Sequence, residues 1–63
     1  MRLTPREQEV LSHVMRGRTA DHIGREMGIS ARTVTKHLEN AYRKLGATNR
    51  VTAVLLARQL GMI

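Results

Sequence analysis

Apolar residues recur along this chain at helical spacing, and short polar or glycine-bearing breaks divide the recurrence into four segments. Val10, Leu11, Val14 and Met15 fall at i, i+1, i+4 and i+5, one stripe of a 3.6-residue period. Ala20, Ile23 and Met27 form a second, shorter stripe, and Val34, Leu38, Ala41 and Leu45 a third at i, i+4, i+7 and i+11. The last segment, from Val51 to Leu60, is apolar over too much of its circumference for a helix with only one covered side. The pattern predicts an all-α domain with helices over about residues 5–16, 20–27, 31–45 and 50–60.

Residues suited to starting and stopping helices stand at these boundaries. Thr4 is a predicted N-cap, Pro5 takes the first helical position, where its missing N–H costs nothing, and Glu7 completes a capping box. Gly17 ends the first helix. Thr19 caps the second, with Asp21 placed favourably against the helix dipole. Gly28 closes that helix with a left-handed residue, and Ile29 follows as a plug into the core. Ser30 caps the third helix and Gly46 stops it. Asn49 caps the fourth and Gly61 stops it. Gly24 lies inside the second helix, where it costs about 1 kcal/mol against alanine. A bare position there fits a second helix crossing closely.

Ile23–Gly46 thus reads as a short helix, a tight turn and a longer helix, the layout of a helix-turn-helix whose second helix enters the DNA major groove. Opposite its core stripe the third helix carries Arg32, Thr35, Lys36, Glu39 and Arg43. Arg32, Thr35, Lys36 and Glu39 are the base-contact candidates. Lysine donates to guanine O6 and N7, glutamate accepts from cytosine N4, and threonine meets a thymine methyl. Glu39 is also spaced for an i, i+4 ion pair with Arg43. Thr19, Ser30, Thr33, Arg43, Lys44 and Arg50 are the phosphate candidates, because short polar side chains, cations and helix N-termini hold phosphate oxygens. Thr19 and Ser30 serve equally as plain caps, and Lys44 equally as a surface cation near a helix C-terminus. Arg6 and Glu7 are better placed to fix the first helix against its neighbours than to touch DNA.

Charge agrees with a polyanionic partner. The 63 residues hold 11 Lys and Arg against 5 Asp and Glu, a net charge of +6. Tyr42 is the single aromatic residue, which argues against recognition of single strands by base stacking. No cysteine is present, so neither a disulfide nor a thiolate metal site staples the fold. A chain of this size buries only about 60% of its unfolded surface, so helix packing must supply the stability, completed by oligomerisation. His13, His22 and His37 share no ligand spacing, and His37, at the edge of the core stripe, reads as a hydrogen-bonded structural or backbone-contacting side chain. No catalytic constellation and no phosphate-cradling glycine loop occur, so neither enzymatic activity, a metal nor a cofactor is expected. Met1-Arg2-Leu3 runs straight into the first helix start, which argues against a signal peptide. With no run approaching about 20 apolar residues, a cytoplasmic location without membrane association is expected.

On the fourth helix, Val51, Leu55 and Arg58 share one side. They form a two-fold dimer seam, or alternatively extra core against the first helix. Ala53, Val54, Ala57 and Leu60 are expected on the core side, with Leu56 grouped outward beside Val51 and Leu55.

These residues resemble the DNA-binding domain of LuxR-type transcriptional regulators, the group also named for NarL, FixJ and GerE. The resemblance rests on Leu3-Thr4-Pro5-Arg6-Glu7, Glu9-Val10-Leu11, Gly17, Ile23, Ile29-Ser30, Thr33-Val34, His37-Leu38, Tyr42-Arg43-Lys44-Leu45-Gly46 and Arg50 with Ala53-Val54. It implies one four-helix domain spanning 1–63, a probe of double-stranded DNA that binds an inverted repeat as a weak homodimer through its fourth helix. It also implies a larger regulator with a receiver or signal-sensing domain, and RNA polymerase is a further candidate partner. The chain departs from the family pattern at Thr35, where lysine is common, at Glu39, often basic or polar, at Thr52, often glutamate, and at Gly24, usually alanine. Two rivals use a similar motif. A protein-interaction module would dock through the apolar fourth helix, and a sigma-factor-like domain would read promoters without dimerising.

Overall fold

The computed structural model describes residues 2–61 and contains four helices: α1 (Pro5–Met15), α2 (Ala20–Met27), α3 (Ala31–Leu45) and α4 (Arg50–Gln59). No strand occurs among the described residues. Residues 1, 62 and 63 of the predicted domain lie outside them. The expected bounds hold to within one residue. Arg16 and Leu60 serve as C-caps instead of closing their helices.

Each helix begins on the residue suited to capping it. Thr4 accepts from the Glu7 N–H at 3.1 Å while the Glu7 carboxylate accepts from the Thr4 N–H at 2.9 Å, so both halves of the capping box are made. Thr19, Ser30 and Asn49 accept from the backbone N–H three residues on, at 3.2, 3.1 and 2.9 Å. Each bond satisfies one of the orphan donors at a helix start, and losing such a cap costs about 1 kcal/mol. Gly28 and Gly46 close α2 and α3 in the left-handed conformation, at φ 71° and 74°.

α3 is the axis of the fold, packing against α1, α2 and α4. One end of the core joins Leu3, Leu11, Ala41, Ala47, Ala53 and Ala57, with Tyr42, Leu45 and Leu56 packed against them. The other end joins Val10, Val14, Ile23 and Val34, flanked by Ala20, Met27, Ile29, Leu38 and Val54. The stripes read along α1, α2 and α3 are therefore the surfaces that meet, apart from Met15, which joins neither cluster. Ile29 plugs the second cluster from the turn between α2 and α3.

Two assignments on α4 are corrected. Leu56, grouped with the outer side, packs on the core, whereas Leu60, expected inward, is 64% exposed. Ala53 and Ala57 bring the α4 backbone close to its neighbours, and Leu56 flanks that contact. Leu60 lies past the last helical residue, at the C-cap, where its N–H still bonds the Leu56 carbonyl at 3.0 Å, and the core clusters end short of it.

Candidate nucleic-acid interface

The outward face of α3 is continuous. Arg32, Thr35, Lys36, Glu39 and Arg43 are all exposed, while Val34 and Ala41 on the opposite side are fully buried. At 1.5 Å per residue, Arg32 and Glu39 stand about 10 Å apart along the helix axis, within the length of helix that a major groove can admit. Burial of the core stripe leaves α3 no freedom to roll, so this face presents the same side chains outward. Its cations are not neutralised locally. Among the described residues the side chains within ion-pair distance are Lys44–Glu7 and the histidine–carboxylate contact His22–Glu26, neither of which uses Arg32, Lys36 or Arg43. The i, i+4 pairing of Glu39 with Arg43 is not made. Arg43 instead reaches Asn40, its Nη1 donating to Oδ1 at 3.4 Å, which leaves the Glu39 carboxylate open to solvent.

The helix N-termini carry most of the phosphate candidates. Ser30 Oγ accepts from the Thr33 N–H, and the two hydroxyls share a hydrogen bond of 2.9 Å. Two hydroxyl protons serve one shared bond, so one proton remains to donate outward. Thr19 accepts from the His22 N–H at 3.2 Å, and its own proton is likewise free. Such an arrangement suits an anion: acceptors satisfied internally, donors left over, at the positive end of a helix dipole. Arg50, first residue of α4, is exposed.

Lys44 is differently engaged. Its Nζ lies 2.7 Å from Oε1 of Glu7, a residue only 4% exposed. Burial alone would raise the Glu7 carboxyl, but the Lys44 hydrogen bond, the Thr4 backbone N–H and the Lys44 charge outweigh it and hold the group below the ordinary glutamate range. The sequence marks Glu7 as a capping-box partner that fixes α1 against its neighbours, and the pair with Lys44 is the contact by which it does so. The signal for its burial lay in the spacing, since positions 7, 10, 11 and 14 occupy one helical face. A second contact escaped the sequence reading: Arg18 Nη1 lies 2.7 Å from His13 Nδ1 across the α1–α2 turn.

Val51 and Leu55 are 68% and 54% exposed on one side of α4, with Arg58 also exposed. The alternative in which this side packs on α1 is not what the fold adopts. No grouping of His, Cys, Asp and Glu able to hold a metal ion occurs among the described residues, and no described helix is long and apolar enough to cross a membrane.

The same architecture is found in proteins already characterised. The family model for bacterial regulatory proteins of the luxR family matches residues 1–57. The transcriptional activator protein BjaR1 of Bradyrhizobium diazoefficiens is 54% identical over 56 residues, covering 89% of this chain and 23% of that protein. The quorum sensing-dependent transcriptional regulator RpaR of Rhodopseudomonas palustris is 50% identical over 62 residues, covering 98% and 26%. The chain thus spans about a quarter of the length of these relatives. Among solved structures, the transcription factor GerE superposes with a TM-score of 0.90 at 35% identity, over 95% of this chain and 90% of that one. The response regulator ChrA of a heme-sensing two-component system superposes at 0.94 with 36% identity, over 100% and 31%. The sequence matches and the superpositions extend over nearly the whole chain, which belongs to the luxR family of bacterial regulatory proteins as a helix-turn-helix domain of DNA-binding transcription regulation.

Proposed function

We propose that this domain recognises a specific sequence in double-stranded DNA by laying α3 in the major groove. The observation that carries the reading is the exposed, locally unneutralised face of Arg32, Thr35, Lys36 and Glu39, set opposite a fully buried Val34 and Ala41. Lys36 and Arg32 donate to guanine, Glu39 accepts from cytosine, and Thr35 meets a thymine methyl. Thr19, Ser30, Thr33, Arg43 and Arg50 take phosphates and set the register, with release of counterions. Lys44 joins that set only to the extent that its ammonium, held by Glu7, still attracts the DNA backbone.

Two copies pair through Val51, Leu55 and Arg58 of α4 and read an inverted repeat with half-sites about one helical turn apart. The pairing is weak in the isolated domain, because one helix of ten residues offers little area. Residues 1–63 act as one effector unit of a longer cytoplasmic regulator, in which another domain receives the signal and RNA polymerase is a downstream partner. The mechanism is binding, with no catalytic step.

Selection of bound sites from random duplex DNA, at low and at moderate salt, tests this reading. Recovery of an inverted repeat that survives moderate salt is the expected result. Binding that is blind to sequence and lost with salt would overturn it, and a protein partner held through α4 with little dependence on salt would establish a docking module instead, since apolar docking lacks the steep salt dependence of phosphate binding.

A further inference from the structure

Two cations of this chain are held at 2.7 Å by a side chain outside their own element, and the two acceptors differ in kind. Lys44 is held by the Glu7 carboxylate, which neutralises it. Arg18 is held by the ring of His13, its Nη1 against Nδ1. Arginine offers no acceptor, so the ring nitrogen must accept and the ring proton resides on Nε2. The acceptor is therefore an uncharged imidazole, which fixes the guanidinium and leaves its charge intact. Among the described residues no carboxylate stands within ion-pair distance of Arg18.

The backbone makes this pairing. Gly17, at φ 77°, turns the chain out of α1 in the left-handed conformation. The His13 carbonyl then accepts from the Arg18 N–H at 3.3 Å as well as from the Arg16 N–H at 3.0 Å. Residue 18 is thus tied to residue 13 through main chain and side chain together. A guanidinium carries five N–H donors in a planar fork. One goes to His13, and the others have no side-chain partner among the described residues. The rotamer freedom that an arginine normally loses on binding is already lost in the folded domain.

Arg18 directly precedes Thr19, the N-cap of α2. The first helix of a helix-turn-helix crosses the DNA backbone, and a planar fork with free donors matches phosphate oxygens in pairs. We propose that Arg18 is a DNA-phosphate contact and that His13 is the residue that positions it. The inference rests on the DNA reading given above and adds to it a pair on the α1–α2 turn. A cation held by a carboxylate, as Lys44 is, serves the fold first. A cation held by an imidazole keeps its attraction for an outside anion.

The test titrates random duplex DNA over a range of salt with wild type, Arg18→Met, His13→Leu and His13→Asn. Arg18→Met is expected to reduce the slope of log affinity against log salt by about one. It should weaken binding about fivefold or more at about 0.1 M salt, on random duplex and on the selected site alike. His13→Leu keeps the charge but frees the side chain, so the slope stays and affinity falls about threefold, the cost of ordering one arginine on binding. His13→Asn sets an amide oxygen near the place of Nδ1 and restores the wild-type affinity. Two readouts need no variant to fold. The Arg18 Nε–H resonance of wild type shifts on addition of random duplex and returns as salt is raised, and the ring nitrogen resonances of His13 place the proton on Nε2. An Arg18 resonance unmoved by duplex, or a folded Arg18→Met with the wild-type slope, overturns the phosphate contact and leaves Arg18 a tie between α1 and α2. A ring proton on Nδ1, a His13→Leu with wild-type affinity, or a His13→Asn no better than His13→Leu overturns the positioning role. A wild type that binds no duplex removes the DNA reading and this inference with it, whereas the other outcomes remove the inference alone.

Discussion

The ammonium of Lys44 and the carboxylate of Glu7 meet at 2.7 Å and join the last turn of α3 to the first turn of α1. Each charge also sits at the favourable end of its own helix dipole. The carboxylate completes the capping box with Thr4 at the same time, so one buried side chain serves a helix start and a helix–helix contact. The pair occupies the end of α3 remote from its Ser30 cap.

The first prediction is a dependence of stability on pH. The Glu7 carboxyl is held below its ordinary value in the folded chain, so between the two values the unfolded chain binds more protons. Stability is then full above the unfolded value, about 4.3, and is lost as pH falls through the folded value. Urea unfolding followed from about pH 7 down to about pH 3 should show this acid loss. Glu7→Gln should flatten the part of the slope due to Glu7 while lowering stability at neutral pH. A wild-type slope retained in Glu7→Gln would assign the effect to other carboxylates.

The second prediction separates the two roles open to Lys44. Removing one partner of a buried pair strands the other, at a cost of about 3–5 kcal/mol when both are fully enclosed. Lys44 is 27% exposed and water can reach it, so Lys44→Met should cost less, about 1–2 kcal/mol. Glu7→Gln combined with Lys44→Met should show non-additivity in unfolding experiments. If Lys44 is purely structural, the slope of log affinity for random duplex against log salt stays at the wild-type value in Lys44→Met. A slope smaller by about one identifies a phosphate contact as well.

The third prediction divides α3 by the kind of contact. Lys36→Ala should lower affinity for the selected site by about tenfold or more and relax preference at one base pair, with binding to random DNA reduced only by one charge. Arg43→Ala should weaken both kinds of site alike and reduce the salt slope by about one. Equal losses on specific and random duplex in Lys36→Ala would remove that residue from the base contacts. Both side chains are exposed, so neither variant should shift thermal stability by more than about 0.5 kcal/mol.

Most of this architecture was legible in the sequence, because the cues were local. Thr4, Thr19, Ser30 and Asn49 each cap a helix through a bond three residues long, and such geometry needs no tertiary information. The exposed face of α3 was legible for the same reason: Val34, Leu38, Ala41 and Leu45 leave only one side for Arg32, Lys36 and Arg43. What was hidden depended on contacts distant in the chain. Lys44 lies 37 residues from Glu7, and nothing near either residue names the other. The close approach at Gly24 was legible as well, and the structure adds that the turn's Ile29 carbonyl oxygen is the atom that comes nearest. The phase of α4 was misjudged at Leu56 and Leu60, because a helix apolar nearly all round has no polar face to mark its outer side.

That ambiguity yields the last prediction, on two adjacent leucines of the same chemistry. Leu55 is 54% exposed beside Val51, whereas Leu56 packs against the cluster of Leu3, Leu11 and Ala53. In the monomer Leu55→Glu adds a charge to a solvated surface, and thermal unfolding should change by no more than about 0.5 kcal/mol. In a dimer the same charge meets its symmetry mate across a two-fold axis, where like charges repel and lose water. Sedimentation of the Leu55→Glu complex with an inverted repeat should then show loss of cooperative occupancy, leaving single half-sites bound. Leu56→Glu places a carboxylate among aliphatic groups without a partner, and it should destabilise the monomer by about 2 kcal/mol or more, before any question of pairing arises. Cooperative two-site binding that persists in a folded Leu55→Glu would remove α4 as the seam. Unchanged stability in Leu56→Glu would mean that α4 turns its other side to the core.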